Sequence, residues 1–280
     1  MKIIKSQKEI TQYCNKINIP TSFVPTMGAL HKGHERLLKE ARKRCDFLIA
    51  SLFINPLQFN NPNDLLNYPK NLQLDIETFE KNNVDLLYIP DQKEIINSDL
   101  KKVDSGQGGK ILEGKFRPGH FDGVLTIVNK LFELIKPDYA YFGIKDLQQL
   151  CLIFTKLSPL HNTKIVPVET VRESSGLALS SRNTLLNNNE KKIASKIFEG
   201  LKSLDQMLKK NKSIDIETFL KEFYREQKFL EVEYILIKKL SIFNEKNMNI
   251  SDLFGGYNYT AVMVSAKVGG VRLIDNILIK

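Results

Sequence analysis

Residues 23–38 read Phe23-Val24-Pro25-Thr26-Met27-Gly28-Ala29-Leu30-His31-Lys32-Gly33-His34-Glu35-Arg36-Leu37-Leu38. This is a short apolar run, a turn, and a helix that opens on two histidines. Unpaired backbone N–H groups and the positive end of the helix dipole meet there, a setting that favours an anion. The helix is expected over Gly33–Arg44, burying Leu37, Leu38 and Ala41.

Working outward, residues 6–18 predict a first helix, with Ser6 as its cap and Glu9 completing a capping box. Asp46–Ile54 is apolar almost throughout, as a strand covered on both faces requires, and Asn55-Pro56-Leu57-Gln58-Phe59 leaves its carboxyl end as a loop. Next come a helix over 71–82, a strand over Val84–Ile89 and a Gly-rich passage over Asp104–Gly119. A long helix with Val124, Ile127, Val128, Leu131, Leu134 and Ile135 on one side follows. A strand Asp138–Gly143, a helix Asp146–Leu157 and a strand Lys164–Val171 complete the series. Apolar strands alternating with helices predict an α/β fold, a Rossmann-like parallel sheet with helices on both faces. Such sheets bind ligands at the carboxyl ends of their strands.

Past Val171 the pattern changes. A small-residue loop runs from Arg172 to Asn183, and a helix then carries Ile193, Ile197, Leu201, Leu204 and Leu208. A second helix near Ile216–Phe223 leads to a strand over Glu231–Leu236 and to two more, Tyr257–Ala266 and Val271–Ile277, joined across Gly269-Gly270. The expected organisation is a Rossmann-like nucleotidyltransferase domain over 1–172 and a smaller α+β domain with an antiparallel sheet over 173–280. Asn187-Asn188-Asn189 reads as a helix start or loop.

A chain of 280 residues suits two domains of about 100 to 150 residues each. It is 42% hydrophobic and 26% charged, and no apolar run approaches the roughly 18 residues needed to span a bilayer. Residues 1–9 lack the apolar core of a signal peptide, so a cytoplasmic location is expected. The net charge of +9 raises nucleic acid as a partner, but the lysines are interleaved with acids, and Lys191–Lys212 reads as the solvated face of an amphipathic helix. Neither nucleic acid nor membrane is expected as a partner. Cys14, Cys45 and Cys151 form no CxxC pair and read as buried or indifferent thiols in helices or at their ends.

Four loops collect the chemistry: Pro25–His34, Asn55–Phe59, Gly143–Gln149 and Gly176–Asn183. Singly, each has an ordinary structural explanation; Ser180, Ser181 and Arg182, for example, suit a cap of the next helix. Together they supply backbone donors, imidazole, ammonium, hydroxyls and guanidinium, a set suited to a polyphosphate. There is no Walker loop and no GxGxxG.

In order along the chain stand Pro25-Thr-Met-Gly-Ala-Leu-His-Lys-Gly-His34, Phe53-Ile-Asn-Pro-Leu-Gln-Phe59, Arg117-Pro-Gly-His-Phe121, Phe142-Gly-Ile-Lys-Asp-Leu-Gln-Gln-Leu150 and Gly176-Leu-Ala-Leu-Ser-Ser-Arg-Asn183. The set resembles the pantothenate synthetases over essentially the whole chain. The first motif alone marks only the wider His-x-Gly-His nucleotidyltransferase superfamily. The resemblance implies a ligase that joins pantoate to β-alanine through a pantoyl adenylate, cleaving ATP to AMP and pyrophosphate with Mg2+, in a homodimer.

Carried over residue by residue, the resemblance places Met27, Gly28, Ala29, Leu30, His31, Lys32, Gly33 and His34 at ATP, with Gly143, Ile144, Lys145, Asp146, Val171, Leu179, Ser180, Ser181 and Arg182. His34, His31 and Lys145 are the expected catalytic groups, His34 as proton donor. Gln58 would contact pantoate and β-alanine, and Gln149 pantoate. No metal ligand is assigned, although Asp146 suits Mg2+ through water, and His120 has no assigned role. Ile144, Asp122 and Ser175 depart from the family pattern, where Glu, Arg and Asp are usual. Asp122 puts a negative charge where a positive one is common, and substrate affinity is the property it bears on. A rival enzyme, a nucleotidyltransferase acting on a phosphorylated metabolite, leaves both glutamine loops and the Ser-Ser-Arg-Asn loop without a purpose.

Overall fold

The computed structural model describes residues 1–210, 214–246 and 248–280. Strands β1 (Lys2–Ile4), β2 (Thr21–Thr26), β3 (Phe47–Leu52), β4 (Leu86–Tyr88), β5 (Tyr139–Gly143) and β6 (Lys164–Val168) form one sheet in the order β1-β4-β3-β2-β5-β6. Every neighbouring pair is parallel. From β2 the chain moves outward through β3 and β4, then returns to lay β5 on the other side of β2. The order therefore reverses between β2 and β5, and the crevice beyond their carboxyl ends is where such a sheet takes a ligand.

Both faces of the sheet are covered, as the unbroken apolar strands predicted. Phe23, Ile49, Leu86 and Tyr88 enter one core with the helices α1 (Gln7–Cys14), α2 (His120–Ile135) and α3 (Leu147–Leu157). Their neighbours Val24, Leu48, Ala50 and Leu87 point the other way, against Leu38 and Ala41 of α4 (Lys32–Arg44) and Phe79 of α5 (Leu72–Lys81). The period-2 alternation of strand side chains divides the residues between the two faces.

Strands β7 (Glu231–Lys239), β8 (Thr260–Val268) and β9 (Val271–Ile279) form an antiparallel sheet, β8 and β9 joined through Gly269-Gly270. On β8, Val262, Val264, Ala266 and Val268 pack against α6 (Asn188–Lys210) and α7 (Ile216–Arg225). Ala261 and Met263 on the same strand join the core beneath the parallel sheet. The antiparallel sheet is thus docked through a continuous apolar core. Among the described residues no helix is long and apolar enough to cross a membrane.

Strand β1 escaped notice because three residues are too few to show a period, yet it forms a sheet edge paired with β4. Ser6 makes no side-chain cap; the Gln7 N–H donates instead to Glu94 Oε2 at 2.6 Å, and the helix ends at Cys14. Asn187 does cap α6: its Oδ1 accepts from the N–H groups of Asn189 and Glu190, and Glu190 Oε2 accepts from the Asn187 N–H. The lysine-rich face follows α6 to Lys210, and residue 212 lies outside the described residues. The cysteines sit in α1, at the end of α4 and in α3; burial raises the thiol pKa of Cys14 to about 12 and also raises that of Cys151.

Candidate active site

The turn after β2 is clamped from α5. The Asp75 carboxylate accepts the Ala29 N–H at 3.0 Å and the Leu30 N–H at 2.8 Å. Gly28 stands at φ +82, and a Cβ there would lie 2.8 Å from Asp75 Oδ2. A buried acid one turn before Phe79 on the apolar side of α5 was the available signal for this clamp.

The helix that follows begins at Lys32, with His31 as its N-cap. His31 Nδ1 accepts the Gly33 N–H at 3.0 Å, while the His31 N–H donates to His34 Nδ1 at 3.3 Å. The two rings lie 4.2 Å apart between centroids. A Cβ on Gly33 would come within 2.7 Å of the His31 ring, so the glycine between the histidines lets this cap form. Because each Nδ1 accepts a backbone proton, the neutral rings carry their own proton on Nε2. Burial, reinforced by Lys145, lowers His31 to about 4; burial, reinforced by His31, lowers His34 to about 3. Both are neutral N–H donors at pH 7.

Beyond β5, Lys145 Nζ lies 3.5 Å from Asp146 Oδ1. Burial alone would raise the Asp146 pKa, but Lys145, His120 and Arg117 outweigh it and hold the carboxyl below its usual range. The carbonyl oxygens of Ile144 and Lys145 accept from Asn276 Nδ2 at 3.1 and 2.9 Å. In the later loop Ser180 caps a short turn, and Ser181 Oγ donates to the Ala29 carbonyl at 3.2 Å, tying this loop to the first turn.

Gln58 is held from two sides. Its Oε1 accepts from Asn55 Nδ2 at 3.0 Å, which leaves its own amide N–H groups as donors. Its carbonyl accepts from His120 Nδ1 at 2.8 Å and from Arg117 Nη2 at 3.3 Å. Arg117 Nη1 donates to His120 Nε2 at 3.1 Å, so His120 carries its proton on Nδ1, the opposite tautomer to His31 and His34. Burial, followed by Arg117, lowers His120 to about 4. His120, without a role in the sequence, positions the Gln58 loop.

These loops surround one cavity of about 300 Å³ at the β2/β5 reversal. Met27, His31, Gly33, His34, Gly143, Lys145, Asp146, Val171, Leu179, Ser180, Ser181 and Arg182 line it, as do Gln58 and Gln149. Gly28, Ala29 and Leu30 form the clamped turn behind the lining, and Lys32 is exposed at the helix start. The Ile144 side chain is buried in the core. Arg117, His120 and Asn55 line the cavity although the sequence assigned them nothing; their signal was the Arg-Pro-Gly-His and Asn-Pro-Leu-Gln runs.

Asp122 does not line this cavity. Its Oδ1 accepts from the N–H and hydroxyl of Ser105 at 2.8 and 2.5 Å, so its charge is spent on the loop before α2. Ser175 is exposed and accepts from the Leu177 N–H at 3.4 Å. No group of three or more His, Cys, Asp or Glu residues suited to a metal occurs among the described residues.

A sequence model of the family described as pantoate-beta-alanine ligase matches residues 2–278. The pantothenate synthetase of Cytophaga hutchinsonii is 40% identical over 266 residues, covering 94% of this chain and 92% of that protein. The crystal structure of pantoate-beta-alanine ligase from Thermus thermophilus superposes with a TM-score of 0.88 at 32% identity, covering 99% of both chains. The enzyme from Francisella tularensis, solved in complex with beta-gamma ATP and beta-alanine, is 36% identical with a TM-score of 0.78, over 99% of this chain and 97% of that one. The chain belongs to the pantoate-beta-alanine ligase family.

Proposed function

We propose that this cavity condenses pantoate with β-alanine to pantothenate through a pantoyl adenylate, converting ATP to AMP and pyrophosphate. The observation that carries the reading is the convergence, at one sheet reversal, of His31, His34, Lys145 and Arg182 with the amides Gln58 and Gln149. The first four are phosphate-directed donors, and the amides suit a substrate rich in hydroxyls.

In the first step a pantoate carboxylate oxygen attacks the α-phosphorus of ATP, and the bond to the bridging oxygen breaks as pyrophosphate leaves. Charge grows on the α-phosphate oxygens and on the leaving group. The Nε2–H groups of His31 and His34 are preorganised donors for that charge, and Lys145 and Arg182 neutralise phosphate oxygens. Removing one such donor costs about 3 to 4 kcal/mol of transition-state stabilisation, against roughly 0.3 to 1 kcal/mol for a helix terminus. In the second step the β-alanine amine attacks the acyl carbon. The C–N bond forms, the acyl–oxygen bond breaks, AMP leaves with the electron pair, and the amine gives up a proton.

The expected ATP residues outside the cavity lining, Gly28, Ala29, Leu30, Lys32 and Ile144, belong to the turn and loop that carry these donors. Gln58 offers its amide N–H groups to pantoate and β-alanine. Asp146, the carboxylate in the cavity lining beside Lys145, would hold Mg2+ together with the substrate's phosphates. When bound it supplies charge neutralisation on the phosphates. The reading includes functional units at 1–172 and 173–280, the second closing over ATP, in a cytoplasmic homodimer. Incubation with ATP, Mg2+, pantoate and β-alanine should yield pantothenate, AMP and pyrophosphate in equal amounts; ADP and phosphate in their place would sink the adenylate route.

A further inference from the structure

On strand β9, Asp275 and Asn276 stand side by side, 4% and 6% exposed, within the otherwise apolar stretch 273–279. Two successive buried polar residues break the alternation of a strand, and each needs a partner. Asp275 meets Arg172, its Oδ1 accepting from Nη2 at 2.9 Å and its Oδ2 from Nη1 at 2.5 Å. Asp275 Oδ1 also accepts the Asn276 N–H at 2.8 Å. Asn276 then spends its amide on the two consecutive carbonyls of Ile144 and Lys145.

Both acceptors are carbonyl oxygens, so only the NH2 side of the amide satisfies them. Residues 144–146 form a single short turn between β5 and α3, with no side-chain cap at its start. The Lys145 ammonium therefore stands on a turn whose carbonyls are fixed from the antiparallel sheet, by a residue more than a hundred positions away in sequence.

We infer that Asn276 is a positioning residue for adenylation, holding the Lys145 turn so that the ammonium meets the phosphates in the transition state. The inference rests on the reading of the cavity as an adenylating site. It concerns the first step, where charge grows on the α-phosphate and on pyrophosphate together; AMP, which leaves in the second, is a good leaving group that needs less neutralisation.

The test measures the two half-reactions separately in wild type, Asn276→Ala, Lys145→Ala and the double variant. The first is pantoate-dependent exchange of pyrophosphate into ATP, the second is capture of supplied pantoyl adenylate by β-alanine. Asn276→Ala should slow exchange roughly ten- to hundredfold, the range for two buried carbonyls losing their donor. Capture should stay within about twofold of wild type, and the double variant within about twofold of Lys145→Ala. Equal losses in both half-reactions, or penalties that multiply in the double variant, would overturn the role. If Asn276→Ala does not fold, Asn276→Ser makes the same comparison. A wild-type protein that captures adenylate but shows no exchange would overturn the adenylation reading itself, and this role with it.

Discussion

The backbone N–H of His31 donates to Nδ1 of His34, 3.3 Å away, and His31 in turn caps the helix that carries His34. The pair is therefore both the start of a helix and a pair of oriented Nε2–H donors. The His-x-Gly-His spacing reads physically as this dual use. It joins Nδ1 to the backbone on one side and leaves Nε2–H of each ring as its remaining donor.

The two uses separate in His31→Asn. Asparagine is among the best N-cap residues, so the helix start should lose less than about 1 kcal/mol. It has no ring nitrogen to place in the cavity, and exchange of pyrophosphate should fall about a hundredfold. Urea denaturation and exchange kinetics on one preparation check both halves. A variant with unchanged exchange would leave His31 as a cap alone.

Stability should fall on mild acidification. His31, His34 and His120 have folded pKa values of about 4, about 3 and about 4 against an ordinary 6.5. Below pH 6.5 the unfolded chain takes up protons that the folded chain refuses, so the loss begins there and is complete only below the folded values. Urea midpoints at pH 7.5 and pH 5 should show the decrease, smaller in His120→Phe, which removes one of these three imidazoles. Equal midpoints at the two pH values would contradict the neutral state of these rings.

Much of the architecture was legible because strand and helix periods are local. Asp46–Ile54 declared a doubly covered strand, and the alternation to Val171 declared the parallel sheet. The loops at strand carboxyl ends then held Met27–His34, Gln58 and Lys145, where a reversal of strand order brings them together. What could not be read was contact across long separations. Asp75 under the first turn, His120 behind Gln58 and Asn276 behind Lys145 each act through partners that only the fold makes neighbours. Asp122 shows the converse, a charge placed near the site by sequence position but turned to Ser105 by the helix that carries it.

His120 is expected to control pantoate rather than ATP. Its Nδ1–H fixes the Gln58 carbonyl, and Gln58 lines the cavity with its amide N–H groups left as donors. His120→Ala should raise the KM for pantoate roughly tenfold, the scale of one lost buried hydrogen bond, with the KM for ATP nearly unchanged. Steady-state kinetics with each substrate varied in turn decides it. A parallel rise in both values would point to general loosening of the cavity.

The proposed reaction forms an adenylate at this cavity before the amine arrives. It is tested most directly by following labelled pyrophosphate into ATP with pantoate present and β-alanine withheld. Exchange should depend on pantoate and be lost in His34→Ala while ATP binding falls less. Folded protein that makes pantothenate when all substrates are supplied, yet shows no exchange without β-alanine, would contradict it.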